Sequence, residues 1–192
     1  MFKYQWNAWL QLSSMSPREF ICGFCGKDVG SDHGYFSQTH GGISIVICTN
    51  CGRPTFFENN SQTPGPLLGR SVKHLPSDIK TIYQEMRSSI KEKNYTATLL
   101  LGRKLIMHTA VDLAGAKEGE TFAAYVDFLK CKNYIPPNGE KWLKYIKDLG
   151  NEKNHEIKLG TLEEATKILS FIEMMLIFTY EFPNEHEEGI NK

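Results

Sequence analysis

The chain lacks an excess of charge of either sign. Lys plus Arg and Asp plus Glu both total 22, so the formal net charge is zero. That excludes a strongly basic coat for nucleic acid, because sequence-independent grip on phosphates needs a surplus of Lys and Arg. It leaves room for a local basic patch. The chain also lacks any apolar run approaching the ~20 residues of a membrane helix. Its first residues, MFKYQWNAWLQL, are aromatic but interrupted by Lys3, Gln5, Asn7 and Gln11. They have neither the charged start nor the apolar core and small-residue cleavage site of a secretory signal. No repeat or low-complexity tract occurs. A cytoplasmic protein with no membrane contact is expected. Cysteines are few, five in all. In a reducing compartment, cysteines spaced as pairs read as metal ligands rather than disulfides.

Four of the five do fall in pairs. The spacing is Cys22-x2-Cys25, then 22 residues, then Cys48-x2-Cys51, and each pair is followed by Gly. Zinc takes four ligands in a tetrahedron, and two facing CxxC turns supply them without a large fold. The Gly after each pair allows the positive φ that such a turn needs. A redox CxxC is single and precedes a helix, whereas this motif is duplicated and flanked by strand-like sequence. Cys22, Cys25, Cys48 and Cys51 are therefore expected to bind one structural Zn2+, with no position left open for water. His33 and His40 lie between the pairs as alternative ligands. Cys131 stands alone and is expected to be a partly buried thiol.

The surrounding sequence divides into segments. GISIVI reads as a strand leading into the second pair. Tyr35–Phe36 is a weaker strand candidate, and Thr55, Phe56 and Phe57 can continue a strand after it. Residues 1–57 are expected to form a small β zinc ribbon with an aromatic N-terminal segment, in which Phe2, Trp6 and Trp9 pack on the ribbon or on the helices. Residues 58–76 are rich in Asn, Ser, Pro and Gly and read as a linker. From Pro76 onward the apolar spacing becomes helical. Ile79, Ile82, Tyr83, Met86 and Ile90 define one helix. The next, about 96–114, is apolar nearly all round and is expected to be central. A third places Phe122, Tyr125, Val126 and Leu129 inward. A fourth carries Trp142, Leu143, Ile146 and Leu149. The last opens with a capping box, Thr161 to Glu164, and buries Ala165, Ile168, Leu169, Ile172, Met175 and Leu176. The expectation is a mainly α protein, a bundle of about five helices over residues 77–182, with the ribbon before it and an acidic tail, 183–192, after it.

Four pieces, LPSDIKTIYQEM, NYTATLLLGRKLI, KYIKDLGNEKNHEI and LEEATKILSFIEMMLIFTYEFP, carry a family resemblance. Over roughly residues 72–182 the chain resembles a bacterial domain-of-unknown-function family of the HEPN superfamily, helical domains often preceded by a zinc ribbon and attached to defence proteins. Its most specific piece is Gly150-Asn151-x-x-x-His155 ahead of the capped helix. The resemblance implies a HEPN-like helical bundle, a homodimer, a protein or RNA partner and a setting in bacterial (phage) defence. Many HEPN proteins are metal-independent ribonucleases in which four to six residues separate an Arg from the His that follows it. There the His moves the proton of a ribose 2′-hydroxyl and the Arg stabilises the phosphorane.

The chain departs from that motif at the expected place. Asp148, Leu149 and Gly150 stand where Arg belongs before His155. Lys147 and Lys153 are near, but Lys lacks the guanidinium fork. The strict spacing occurs once, at Arg103 and His108. Residues five apart on a helix point about 140° away from each other, so they do not share a face. With five Arg and six His and three allowed spacings, chance alone gives about half such a match in a chain of this length. Three readings follow. In the first, Asn151 and His155 hydrogen-bond backbone and fix the connection between helices. In the second, Asn151, Asn154, Arg103, Lys147 and Lys153 contact a ligand or RNA in a non-enzymatic interaction module. In the third, His155 is the general acid–base of an endoribonuclease or toxin with a substitute cation. DNA is a poorer fit, since between Cys22 and Cys51 the only basic residue, Lys27, faces Asp28 and Asp32.

Overall fold

The computed structural model of the 192-residue chain describes residues 9–113, 115–135 and 159–185. The chain divides into two compact units. The first comprises Met1–Leu68 together with Ile90–Lys93, and the second Gly69–Ser89 and Asn94–Lys192.

The first unit is built on a five-stranded antiparallel meander, β1 (Ser13–Ile21), β2 (Asp28–Phe36), β3 (Ile43–Ile47), β4 (Pro54–Glu58) and β5 (Ser61–Thr63), in spatial order 1-2-3-4-5. The mainly α expectation is therefore wrong. The sheet is a full element of the protein, and among the described residues the helices number four rather than five, followed by one π-helical stretch. The physical reason is that three of these strands carry little strand signal of their own. β1 contains Pro17, which cannot donate to a ladder. Its pairing with β2 accordingly slips between Ser14↔His33 and Arg18↔Ser31. β2 contains Asp, His and two glycines, all poor formers. Gly34 is nonetheless required there: opposite Val46, a Cβ on it would lie 2.0 Å from the Ile45 carbonyl oxygen. β5 falls in the stretch read as linker, joined to β4 by a two-residue Asn59–Asn60 turn with Asn59 at φ 54°. Asn tolerates that region better than most residues. The core of this unit is small: Phe20, Val29, Val46 and Phe57 around the cysteines, with Phe20 edge-on to Phe57.

The second unit carries α1 (Ser77–Lys91), α2 (Tyr95–Asp112), α3 (Phe122–Cys131) and α4 (Leu162–Leu176). α2 packs against both α3 and α4, and at Gly102 a Cβ would meet Ile168 at 2.8 Å. Ile79, Tyr83 and Met86 of α1, the four expected α3 residues and the six expected α4 residues are all buried, because each recurs on one helical stripe. The Thr161–Glu164 capping box is formed. α3 ends on Asn133 at φ 61°, with Tyr134 N–H donating to Leu129 O and Asn133 N–H to Lys130 O, which satisfies its last carbonyls. α4 runs on into a π-helical stretch, Ile177–Glu181. The extra residue in that turn brings Glu181, five after Leu176, to the buried side. There Arg70 clamps it with two hydrogen bonds of 2.8 and 3.3 Å, and Lys73 N–H donates at 2.8 Å. The expected fourth helix, with Trp142, Leu143, Ile146 and Leu149, lies outside the described residues. No helix among the described residues is long and apolar enough to cross a membrane.

Candidate metal centre

Each CxxC pair forms the turn of a hairpin. Residues 22–27 join β1 to β2, and residues 48–53 join β3 to β4, so the two turns meet at one end of the sheet. They are closed by the same pair of hydrogen bonds. Cys22 N–H donates to Lys27 O at 2.9 Å and Gly26 N–H to Cys22 O at 2.9 Å. The second turn repeats this with Cys48 N–H to Arg53 O at 3.0 Å and Gly52 N–H to Cys48 O at 2.8 Å. Gly26 and Gly52 sit at φ 67° and 69°, where a Cβ is penalised. The Trp9 indole N–H donates to Gly52 O at 2.8 Å, anchoring the segment before β1 to the second turn.

The four sulfurs lie within 4.8 Å of one another. Cys22 Sγ is 3.8 Å from Cys51 Sγ, and Cys25 Sγ is 3.8 Å from Cys48 Sγ. Disulfides are excluded, since they require about 2.05 Å, and all four cysteines are free. Four sulfurs about 2.3 Å from one zinc ion lie about 3.8 Å apart at the corners of a tetrahedron. Both of these separations meet that value, and each joins one turn to the other rather than the two ends of one CxxC. The donor set therefore fits a four-coordinate, thiolate-binding metal ion.

The thiols differ in environment. Burial pushes Cys22 up to about 11 from its ordinary 9.0, against the pull of the Cys25 and Phe24 N–H groups on its sulfur. Burial pushes Cys51 well above its ordinary range too, although the Arg53 N–H opposes it. At Cys25 burial also acts upward, but the Lys27 N–H, the Asn50 side chain and the facing thiols outweigh it and bring the group to about 7. Asn50 Nδ2 stands 3.4 Å from Cys25 Sγ, and Phe24 N–H stands 3.4 Å from Cys22 Sγ. Such donors to sulfur orient and stabilise the ligands. Asn50 was not singled out from sequence; its place immediately before Cys51, inside the turn, is the signal that could have found it. Crowding four thiolates in this space is tenable only around a cation.

The remaining candidates are placed as follows. His33 contacts the Asp32 carboxylate, and His40 Nδ1 is 2.9 Å from Thr39 Oγ1; neither joins the sulfur cluster. Cys131 is exposed rather than partly buried. Arg103 lies over the Phe122 ring at 4.7 Å, on the side of α2 that meets α3. His108 lies on another side, its Nε2 2.7 Å from Asp112 and 3.4 Å from Asp78. The strict Arg–His spacing thus does not form a pair. Lys147, Asn151, Lys153, Asn154 and His155 lie outside the described residues, as do Phe2 and Trp6.

A family model described as Domain of unknown function (DUF4145) matches residues 84–192. The match runs over more than half of the chain, and the chain belongs to that family. It starts within α1 and leaves the four-cysteine sheet outside it. Comparisons with curated proteins and with solved structures gave no match.

Proposed function

We propose that the protein is a zinc-binding interaction module, in which a four-cysteine site of structural Zn2+ stiffens the sheet and the DUF4145 domain, related to the HEPN superfamily, engages a protein or RNA partner. The observation that carries this reading is the sulfur geometry. All four tetrahedral corners are taken by cysteine, so no corner is open to a water that the metal could activate. The donor set favours zinc among abundant divalent ions, and iron is the competing occupant of a four-thiolate site. By resemblance the helical domain forms a homodimer and serves in bacterial defence. Asn151, Asn154, Arg103, Lys147 and Lys153 are its candidate contacts. DNA is a weaker candidate, given zero net charge and a ribbon with little basic surface.

Elemental analysis of the purified protein tests the metal. One zinc per chain is expected, with none retained by Cys22→Ser, and iron in its place overturns the assignment. Incubation with total tRNA and with labelled single-stranded RNA, beside His155→Ala, tests the rest. Neither protein is expected to cleave. Cleavage by the wild type that is lost in His155→Ala makes the protein a ribonuclease, with a cation such as Lys147 or Lys153 in the role of the missing Arg.

A further inference from the structure

The four cysteines of the metal centre are not equivalent toward solvent. Cys22 and Cys48 are wholly buried and Cys51 is 5% exposed, whereas Cys25 is only partly buried. The Asn50 amide that reaches Cys25 Sγ at 3.4 Å belongs to an exposed residue, so this sulfur stands at the rim of the site. Cys48 Sγ lies 3.8 Å from it, on the other turn and shielded from solvent. Holding zinc does not require this asymmetry, since four buried cysteines make an equally closed shell. An accessible thiolate with a second one close beside it is the arrangement of cysteines that respond to peroxide. Cys131, exposed on α3, lies outside the sulfur cluster and has no such neighbour in it.

We propose that Cys25 is a site of modification by peroxide and that its oxidation, resolved by Cys48, releases the zinc. The inference rests on the zinc reading above. The Cys25 thiolate attacks one oxygen of hydrogen peroxide: the S–O bond forms as the O–O bond breaks, sulfur gives up two electrons, and hydroxide leaves. The Cys48 thiolate then attacks the Cys25 sulfur, the disulfide forms, and a second hydroxide leaves. Each hydroxide takes a proton from the buffer. The two sulfurs close from 3.8 Å to about 2.05 Å. Only Cys22 and Cys51 then remain as thiolates, too few for a four-coordinate site. The disulfide joins the same two turns that the metal joins, so the sheet keeps a cross-link and a thiol reductant reverses the change. Asn50 sets how readily this happens. Its hydrogen bond stabilises the Cys25 thiolate and lowers its nucleophilicity.

The test uses the full chain, zinc-loaded and carrying Cys131→Ser, because that exposed thiol would also consume peroxide. Zinc content is measured first. Excess hydrogen peroxide is then added, release of the ion is followed with a chromogenic chelator, and the cysteines are mapped by mass spectrometry with dimedone as the trap for sulfenic acid. One zinc per chain should leave, dimedone should mark Cys25, and without dimedone the disulfide should join Cys25 to Cys48. Dithiothreitol with added zinc should restore the starting content. Cys25→Ser removes a ligand, so the informative variant is Asn50→Ala, which keeps all four. Its peroxide-dependent release should be at least about threefold faster. The proposal fails if the zinc-loaded protein keeps its ion under peroxide, if dimedone marks a buried cysteine ahead of Cys25, if the disulfide joins other partners, or if Asn50→Ala releases zinc at the wild-type rate. Each of these leaves the structural-zinc reading standing. Protein that holds no zinc before peroxide is added overturns both.

Discussion

Individual residues set how the metal site responds to protons. Thiolates, not thiols, bind zinc, so every cysteine still protonated in the metal-free protein must release its proton on binding. With Cys22 pushed up to about 11 and Cys51 raised as well, both are thiols at neutral pH, while Cys25, at about 7, is divided between the two forms. At least two protons should therefore leave per zinc near pH 7. Calorimetric titration in buffers of different ionisation enthalpy measures that number directly. The zinc affinity should fall by at least about a hundredfold per pH unit as the solution is acidified, and a pH-independent affinity would refute a thiolate site. Glu181 behaves in the opposite sense. The Arg70 guanidinium, then the Lys73 N–H, hold its carboxyl below the ordinary 4.5, against the effect of burial. Its folded value is depressed, so its contribution is present above the unfolded value and is lost as pH falls through the folded one. Glu181→Gln should cost about 1–2 kcal/mol near neutral pH, allowing for the half-exposed Arg70. Urea unfolding followed by helix signal should show that gap closing as pH drops below about 4.5. A gap constant with pH would mean that the charge of Glu181 does not contribute.

At the scale of elements, pairing matters more than propensity in the sheet. β3, with Ile-Ser-Ile-Val-Ile, is β-branched almost throughout and is legible alone. So are the two CxxC turns, because Cys spacing and Gly encode ligand and backbone geometry together. The helices of the second unit are legible for a similar reason: their apolar stripes recur at three and four residues, and Thr161 and Glu164 mark a start that the structure reproduces. β1, most of β2, and β5 are not legible. Their residues are polar, small or proline, and they become strands because a neighbour offers a ladder and a hidden face. The sheet's extent was underestimated for that reason, and the mainly α expectation followed from it. Gly34 makes the point testable. No strand pattern asks for glycine there, yet the approach of β3 leaves no room for a Cβ. Gly34→Ala should destabilise the first unit by about 1–3 kcal/mol or more. Gly30→Ala, in the same strand with nothing within 4 Å of the added carbon, should stay within about 0.5 kcal/mol of the wild type. Chemical unfolding of the two variants side by side compares them, and equal losses would show that propensity, not the close approach, dominates at Gly34.

For the molecule as a whole, the two units differ in what holds them. The second hides a run of large apolar side chains, Tyr83, Met86, Leu105, Ile106, Leu129, Ile168, Ile172 and Met175 among them. The first has four large apolar residues clustered on its cysteines, and three of those cysteines are themselves buried parts of the core. A single small core in a unit of this size supplies only a few kcal/mol, and such units often add disulfides or a structural metal. The cysteines are free thiols, which leaves a metal ion, which the four could hold, as the cross-link that would join the β1–β2 turn to the β3–β4 turn across 22 intervening residues. Without it, the core has Cys22 and Cys48 at its centre, and the two turns are tied by the 3.4 Å contact of Asn50 Nδ2 with Cys25 Sγ and the 3.3 Å bond from Thr49 Oγ1 to Gly30 O. Extraction of zinc with a strong chelator should therefore erase the dispersed amide signals of β1–β4. The helix signal in far-ultraviolet circular dichroism should be largely retained, because none of the four clustered cysteines lies in the helical unit. Adding zinc back should restore the strand signals, as expected where metal-binding energy is folding energy. A metal-free protein that keeps its strand signals and melts at the same temperature would show that the small apolar core suffices, and that the four-cysteine site has some role other than holding the sheet together.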